Sequence, residues 1–376
     1  MRVINGQVFD LKNGFVDREL CTDGRTISAE SGDDQVLDAS GCYVIPGLVD
    51  QHFHGAMGED FSDGSLEGFQ KIADFELSEG VTYIVPTGMT VSEEELTQAC
   101  KVAKEQSEKR QGAEVVGVHL EGPFLCMAKK GAQNAKFLRD PDPEMLRRLQ
   151  EAAGGLVKLV TLACEQPGSI EFIKKAKDLG VAVSLGHTMA DYDTASAALE
   201  AGARQATHLY NAMPPFTHRA PGVIGAIFDH KDSYAELICD GIHIHPAVVR
   251  ATFQMMGAER MILISDSLRA TGMPDGKYPF GGQEIVLHGN RATMADDPNT
   301  LAGSVTSLMG CVRQAVKFGI PLTDAVRAAT YNPACELGLE GRIGSLEEGK
   351  DATCVLLDKE DLSIRGIVFR GELVKR

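Results

Sequence analysis

Two histidines one residue apart, His52 and His54, follow the apolar run Ile45-Pro46-Gly47-Leu48-Val49. Such a run reads as a buried strand. Residues i and i+2 of a strand share a face, so both imidazoles leave the strand end on one side. Two neutral imidazoles converging on one point suit a borderline metal ion such as zinc or iron. An ion of that kind activates water and polarises carbonyl groups at neutral pH. The remaining ligands must then come from elsewhere in the chain.

Polar residues at the ends of later apolar runs supply candidates. They are His119-Leu120-Glu121, Gly186-His187-Thr188, Thr207-His208-Leu209, the stretch Asp240–His245, and Ser265-Asp266-Ser267. Of the ten histidines, His52, His54, His119, His187, His208, His243 and His245 all fall at such ends. Any one of them alone has a plainer reading. A strand-end histidine is more often a hydrogen-bonded structural group, Asp266 could cap a following helix, and Glu121 could close a turn before Gly122-Pro123. The joint pattern favours a shared purpose, because burying this many polar groups together is costly without one. A metal site supplies it.

The elements that must position these residues alternate. Eight β-like runs lie around Ile45–Val49, Val81–Val85, Val115–Leu120, Val157–Ala163, Val181–Leu185, Ala206–Tyr210, Ala235–Cys239 and Met261–Ile264. Amphipathic helical stretches such as Glu93–Lys109, Pro143–Ala153, Ile170–Leu179 and Tyr192–Ala201 separate most of them. Alternating β and α units predict a parallel sheet, and eight units predict a closed (β/α)8 TIM barrel whose C-terminal rim carries the site. A doubly wound open sheet is the rival, weakened because no Gly-x-Gly-x-x-Gly follows the first run. The segments 1–44 and 341–376 hold short β-like runs instead. They are expected to pair into one small β-sandwich, leaving 45–340 as the catalytic barrel.

Composition narrows the function. The 376 residues carry a formal net charge of -16. A nucleic-acid binder wants a basic stripe, and none is present. An anionic small substrate would therefore need locally placed cations. No apolar run approaches the roughly 18 residues of a membrane span, and the opening Met1-Arg2-Val3-Ile4 reads as a strand rather than a signal peptide. The nine cysteines are scattered without a Cys-x-x-Cys pair, which fits buried thiols in a reducing cytoplasm.

The chain resembles the amidohydrolase superfamily. The resemblance rests on His52-x-His54, on His187 and His208 after runs five and six, and on Asp266 after run eight. The tail from Asn332-Pro333-Ala334 through Gly341-Arg342-Ile343-Gly344 to Glu348-Gly349-Lys350-Asp351-Ala352 is similar to that superfamily's return to its sandwich. Run four ends Leu162-Ala163-Cys164-Glu165, without the lysine that many members carbamylate. With His119–Phe124 and Thr207–Met213, the pattern is most similar to the N-acetylglucosamine-6-phosphate deacetylase family.

The resemblance implies amide hydrolysis of a phosphorylated amino sugar in a cytoplasmic homodimer. By it, Glu121, His187 and His208 hold a principal divalent metal (zinc, iron, manganese or cobalt). His52 and His54 contribute to a second ion bridged by Glu121. Some members have a histidine that polarises the amide carbonyl where this chain has Gln133, so a second cation is expected to take over that task. The resemblance also implies substrate contacts from Ala132, Asn211, Ala212, His243 and Leu301, with Arg219 reaching a neighbouring subunit's site to pair with the phosphate. Asp266, read as free of the ligand set, can take a water proton and deliver it to the leaving amine. Four alternatives stay open: the galactosamine epimer as substrate, another cyclic-amide hydrolase or deaminase, a non-catalytic barrel, and a metal-free phosphate-binding isomerase.

Overall fold

The computed structural model describes residues 1–32 and 34–375. Its centre is a nine-stranded sheet in which the short strand Glu114–Val115 joins eight parallel barrel strands: β1 (Leu48–Phe53), β2 (Val81–Gly88), β3 (Val118–Glu121), β4 (Val157–Leu162), β5 (Ala182–Leu185), β6 (Gln205–Ala206), β7 (Tyr234–Ile238) and β8 (Met261–Ile264). Each pairs in parallel with the next, from β1–β2 through β7–β8. The cylinder closes just past β8. There the Asp266 amide donates to the His52 carbonyl at 2.9 Å, and the His54 amide to the Ser267 carbonyl at 2.7 Å. The (β/α)8 barrel expected from the alternation is therefore present, and its closing bonds bring His52, His54 and Asp266 side by side.

The strands are buried along nearly their whole length. Parallel strands covered on both faces read as continuous apolar runs rather than alternating ones. Most covering helices are amphipathic, and several carry side-chain caps; the first two are α1 (Leu66–Ser78) and α2 (Glu93–Lys109). In α2 Ser92 and Glu95 form a capping box, and Leu96, Ala99, Cys100 and Ala103 make the buried face. The spacing of three and four places these residues on one side of a helix. The predicted bounds Glu93–Lys109 and Tyr192–Ala201 coincide with the observed helices.

Three expectations change. The run Ile45–Val49 is two strands. Cys42–Pro46 pairs with Gln7–Asp10 and Cys354–Asp358, and β1 starts at Leu48. Gly47 makes the crossing because a Cβ there would run into Thr82 and Thr353. Val115–Leu120 is likewise interrupted, with Glu114–Val115 and β3 as separate strands. Ala206–Tyr210 shrinks to Gln205–Ala206, and Thr207–Tyr210 forms a turn that carries His208.

The chain ends form two further sheets. One has four strands, from Thr26–Ser28 through Leu20–Asp23 and Arg2–Ile4 to Val36–Asp38; the other has six, including Cys42–Pro46, Cys354–Asp358 and Ile364–Phe369. Met1, Val3, Leu20, Val44, Leu356 and Val368 share the core between them. A three-stranded antiparallel sheet of Gly276–Phe280, Gln283–His288 and Arg291–Met294, absent from the expectations, is inserted after β8. Among the described residues no helix is long and apolar enough to cross a membrane.

Candidate metal centre and active site

The barrel strands end abruptly where the polar residues begin. His187, His208 and Asp266 have φ of +48°, +30° and +49°, in the left-handed region that residues with a Cβ avoid. Each such residue costs on the order of 1–3 kcal/mol and persists only where its surroundings demand it. Here the turn re-aims each side chain over the barrel mouth, towards Glu121 at the end of β3.

Glu121 is the hub. Its Oε1 lies 3.0 Å from His187 Nε2 and 2.9 Å from His208 Nε2. The same oxygen is 3.4 Å from His52 Nε2, and Oε2 is 3.1 Å from His54 Nε2. Asp266 Oδ1 lies 3.4 Å from His54 Nε2 and 3.7 Å from His52 Nε2. Two sets could therefore hold an ion: Glu121 with His187 and His208, and Asp266 with His52 and His54. All six residues are buried. Asp266 was expected to stand outside the ligand set; its carboxylate shares a point of convergence with the two β1 histidines.

The donor chemistry of these residues fits a cation. His187 Nδ1 sits 2.8 Å from the Lys129 carbonyl, His54 Nδ1 3.0 Å from the Thr87 carbonyl and His52 Nδ1 3.0 Å from Glu236. An acceptor at Nδ1 makes that nitrogen carry the proton, which turns the Nε2 lone pair inward in the neutral ring. The lone pairs of His187, His52 and His54 then face carboxylate oxygens. His208 Nδ1 is buried without a partner, and its Nε2 lies 3.1 Å from His187 Nε2. His52 Nε2 is buried with no hydrogen-bond partner. Acceptors crowded onto acceptors are repulsive unless a positive charge lies among them.

Titration points the same way. Burial lowers the basicity of His54, but hydrogen bonds to Asp266 and Glu121 outweigh it and carry its pKa to about 10. Burial raises the Glu121 carboxyl, yet the His52 charge and hydrogen bonds from His187 and His208 hold it well below the ordinary carboxylate value. Asp266 is also lowered, since His52 and His54 outweigh its burial. The floor of the site attracts positive charge, and a proton and a metal ion compete for the same imidazole lone pairs.

A cavity of about 600 Å³ opens above this floor, a size that suits a small metabolite. Its lining includes His54, Glu121, His187, His208 and Asp266 together with Ala132, Gln133, Asn211, Ala212, His243 and Leu301. The geometry thus brings together nearly every expected site residue. Arg219 is the exception: it is exposed on the loop after β6 and lies outside this lining. His119 is not at the cluster either. It is buried beneath it, bonded to Thr161 at 2.8 Å, with its ring edge-on to His52 at 4.6 Å. Gln133 donates to Glu121 Oε2 at 2.6 Å while its carbonyl accepts from the Thr90 amide at 2.8 Å, so it fixes the hub carboxylate.

Sequence reasoning missed several supports. Phe280 of the inserted sheet stands edge-on to His54 at 6.0 Å. Gln283 Nε2 bonds the Ala132 carbonyl at 2.7 Å, and Thr293 bridges to Leu301, so this sheet carries one wall of the cavity. Glu236, Gln51 and Gln205 form a buried polar layer under the histidines. A glutamate inside the apolar run Tyr234-Ala235-Glu236-Leu237-Ile238 was the available signal.

A cylinder of eight strands with a histidine–carboxylate cluster at its C-terminal mouth defines a class of hydrolases, and comparison with known proteins agrees. The amidohydrolase family model matches residues 43–374. The chain belongs to the amidohydrolase family, whose members depend on metal ions. It is 38% identical to the N-acetylglucosamine-6-phosphate deacetylase of Bacillus subtilis (strain 168), over 96% of this chain and 93% of that protein. It is 35% identical to an N-acetylgalactosamine-6-phosphate deacetylase of Escherichia coli O157:H7, over 88% and 87% of the two chains. An aspartate-to-alanine mutant of N-acetyl-D-glucosamine-6-phosphate deacetylase from Mycobacterium smegmatis, solved with N-acetyl-D-glucosamine-6-phosphate, superposes with a TM-score of 0.93 at 34% identity, covering 100% of this chain and 99% of that one.

Because Glu121 faces all four histidines, Glu121→Ala should lower metal affinity by more than the about 10–100-fold that loss of an outer-shell partner costs. Metal content after equilibration in a metal buffer checks this, and wild-type content would remove Glu121 from the ligand set.

Proposed function

We infer that the chain hydrolyses N-acetyl-D-glucosamine 6-phosphate to D-glucosamine 6-phosphate and acetate, a metal-dependent step of amino-sugar catabolism. The observation that carries this reading is the Glu121–His187–His208 convergence on the floor of the cavity, with Asp266 beside it. The relatives named above supply the substrate. Cytoplasmic residence fits nine cysteines that are all unpaired.

In this reading Glu121, His187 and His208 would hold the principal ion, and His52, His54 and Asp266 would offer a second subsite. Carboxylate and imidazole ligands accept zinc, iron, manganese or cobalt. A dication held there would supply bound water with a pKa lowered to roughly 7 and polarisation of the amide carbonyl. Asp266 accepts the water proton and passes it to the nitrogen that leaves as the amine. His243, whose Nδ1 donates to Asp240 at 2.7 Å, keeps Nε2 as an acceptor for a sugar hydroxyl. Asn211 and Ala212 meet the phosphate, while Ala132 and Leu301 wall the sugar. Arg219 completes the phosphate site of the second subunit in a homodimer, which accounts for its exposed position in one chain.

The galactosamine epimer is the second reading, favoured by the Escherichia coli relative. Acetate release from both epimers, before and after chelation and metal return, separates the two. Metal-dependent acetate chiefly from the glucosamine compound is expected. Acetate from the galactosamine compound alone moves the activity to that sugar, and acetate from neither overturns the assignment. Asp266→Asn should lower kcat at least about a hundredfold while the Glu121 ion stays bound; near-wild-type turnover would exclude Asp266 from proton transfer. Arg219→Ala should raise KM far more for the phosphorylated sugar than for the unphosphorylated one, and equal effects would end its phosphate role.

A further inference from the structure

The layer beneath the metal-ligand cluster contains a carboxylate that the mechanism leaves unused. Glu236 points from β7 into the barrel and is completely buried. Its Oε1 accepts from Gln51 Nε2 at 2.8 Å and from Gln205 Nε2 at 3.0 Å. Its Oε2 accepts from the His208 amide at 3.2 Å and faces His52 Nδ1 at 3.0 Å. An ionised carboxylate has about four acceptor positions, and four groups occupy them. Four donors on four acceptor positions fit the ionised carboxylate, with His52 Nδ1 carrying the proton it shares with Oε2.

Packing alone does not require a charge at this position. No lysine or arginine is among these partners, and a neutral amide would fill the same volume. Burying an uncompensated carboxylate is costly, so its negative charge needs a positive counterpart nearby. The groups above it are His52 and, through that ring, whatever its bare Nε2 faces. Oε2 also joins the two candidate subsites, because it touches the His52 ring of one and the backbone of His208 in the other.

We propose that Glu236 is a positioning residue for the second metal subsite: it fixes the His52 tautomer and, through the imidazole, strengthens the ring's hold on an ion. A carboxylate behind a ligating histidine raises the ligand's basicity and orients its ring. The inference rests on the two-ion reading given above. Glu236 touches neither substrate nor the reacting atoms and acts only through His52 and His208.

Zinc titration of metal-free protein by calorimetry tests this, using the wild type, Glu236→Gln, His52→Gln and the double variant. Wild type should take two ions. Glu236→Gln should weaken the second by about 10–100-fold and leave the first nearly unchanged. In the His52→Gln background the same change should add nothing to either affinity, an outcome that a purely structural role for Glu236 does not produce. A wild type that takes one ion overturns the two-ion reading and this inference with it. Two ions held equally well by wild type and Glu236→Gln overturn the inference alone, as does equal weakening of both ions. Should Glu236→Gln not fold, the cobalt-loaded wild type is read by proton NMR. A shifted ring N–H resonance that vanishes in His52→Gln and exchanges slowly with solvent is expected; fast exchange overturns the proposal.

Discussion

One carboxylate facing four imidazoles on the floor of a buried site is the constraint on which the rest depends. Glu121 has His187, His208, His52 and His54 within 3.4 Å of its oxygens. His187, His54 and His52 have their Nδ1 protons committed elsewhere, so as neutral rings these three cannot donate to it, while His208 Nδ1 has no partner. The arrangement therefore favours positive charge at its centre, as protons or as metal. The raised His54 and lowered Glu121 titrations express that demand from both sides. Low effective polarity makes each contact stronger than it would be in water, and it makes an unfilled partner more expensive.

The barrel exists, for this purpose, to bring strand ends together. His52 and Asp266 are 214 positions apart in the chain, yet the bonds that close the cylinder join their backbones directly. Left-handed turns at His187, His208 and Asp266 then exchange local strain for convergence. Beneath them, Thr87, Lys129 and Glu236 each commit one Nδ1. The polar layer of Gln51, Gln205 and Glu236 continues this order into the interior of the cylinder, where an apolar core is the rule.

Much of this was legible in the residues. Apolar runs separated by amphipathic stretches gave the alternation, and α2 kept its predicted bounds because its cap and its buried face agree. The ligands were legible because so many histidines and carboxylates gather at the ends of apolar runs that a shared purpose outweighs the plainer reading of each. What was not legible depended on distance in space. Pro46 looks like part of the first barrel strand until Cys354–Asp358 pairs with it. His208 looks like a strand residue, although its turn is set by contacts with the neighbouring strands. The inserted sheet carried a local signal, Gly281-Gly282 between alternating segments, which the count of eight barrel runs did not use. Asp266 was assigned by chemistry alone, and only geometry reveals that it shares a point with His52 and His54.

Anomalous diffraction from crystals of the metal-loaded protein tests the central claim most directly. The account predicts a peak at roughly 2.0–2.2 Å from Glu121 Oε1, His187 Nε2 and His208 Nε2, with the second ion between His52, His54 and Asp266. Ordered side chains in the same positions with no ion among them, or with the metal bound elsewhere, would contradict it.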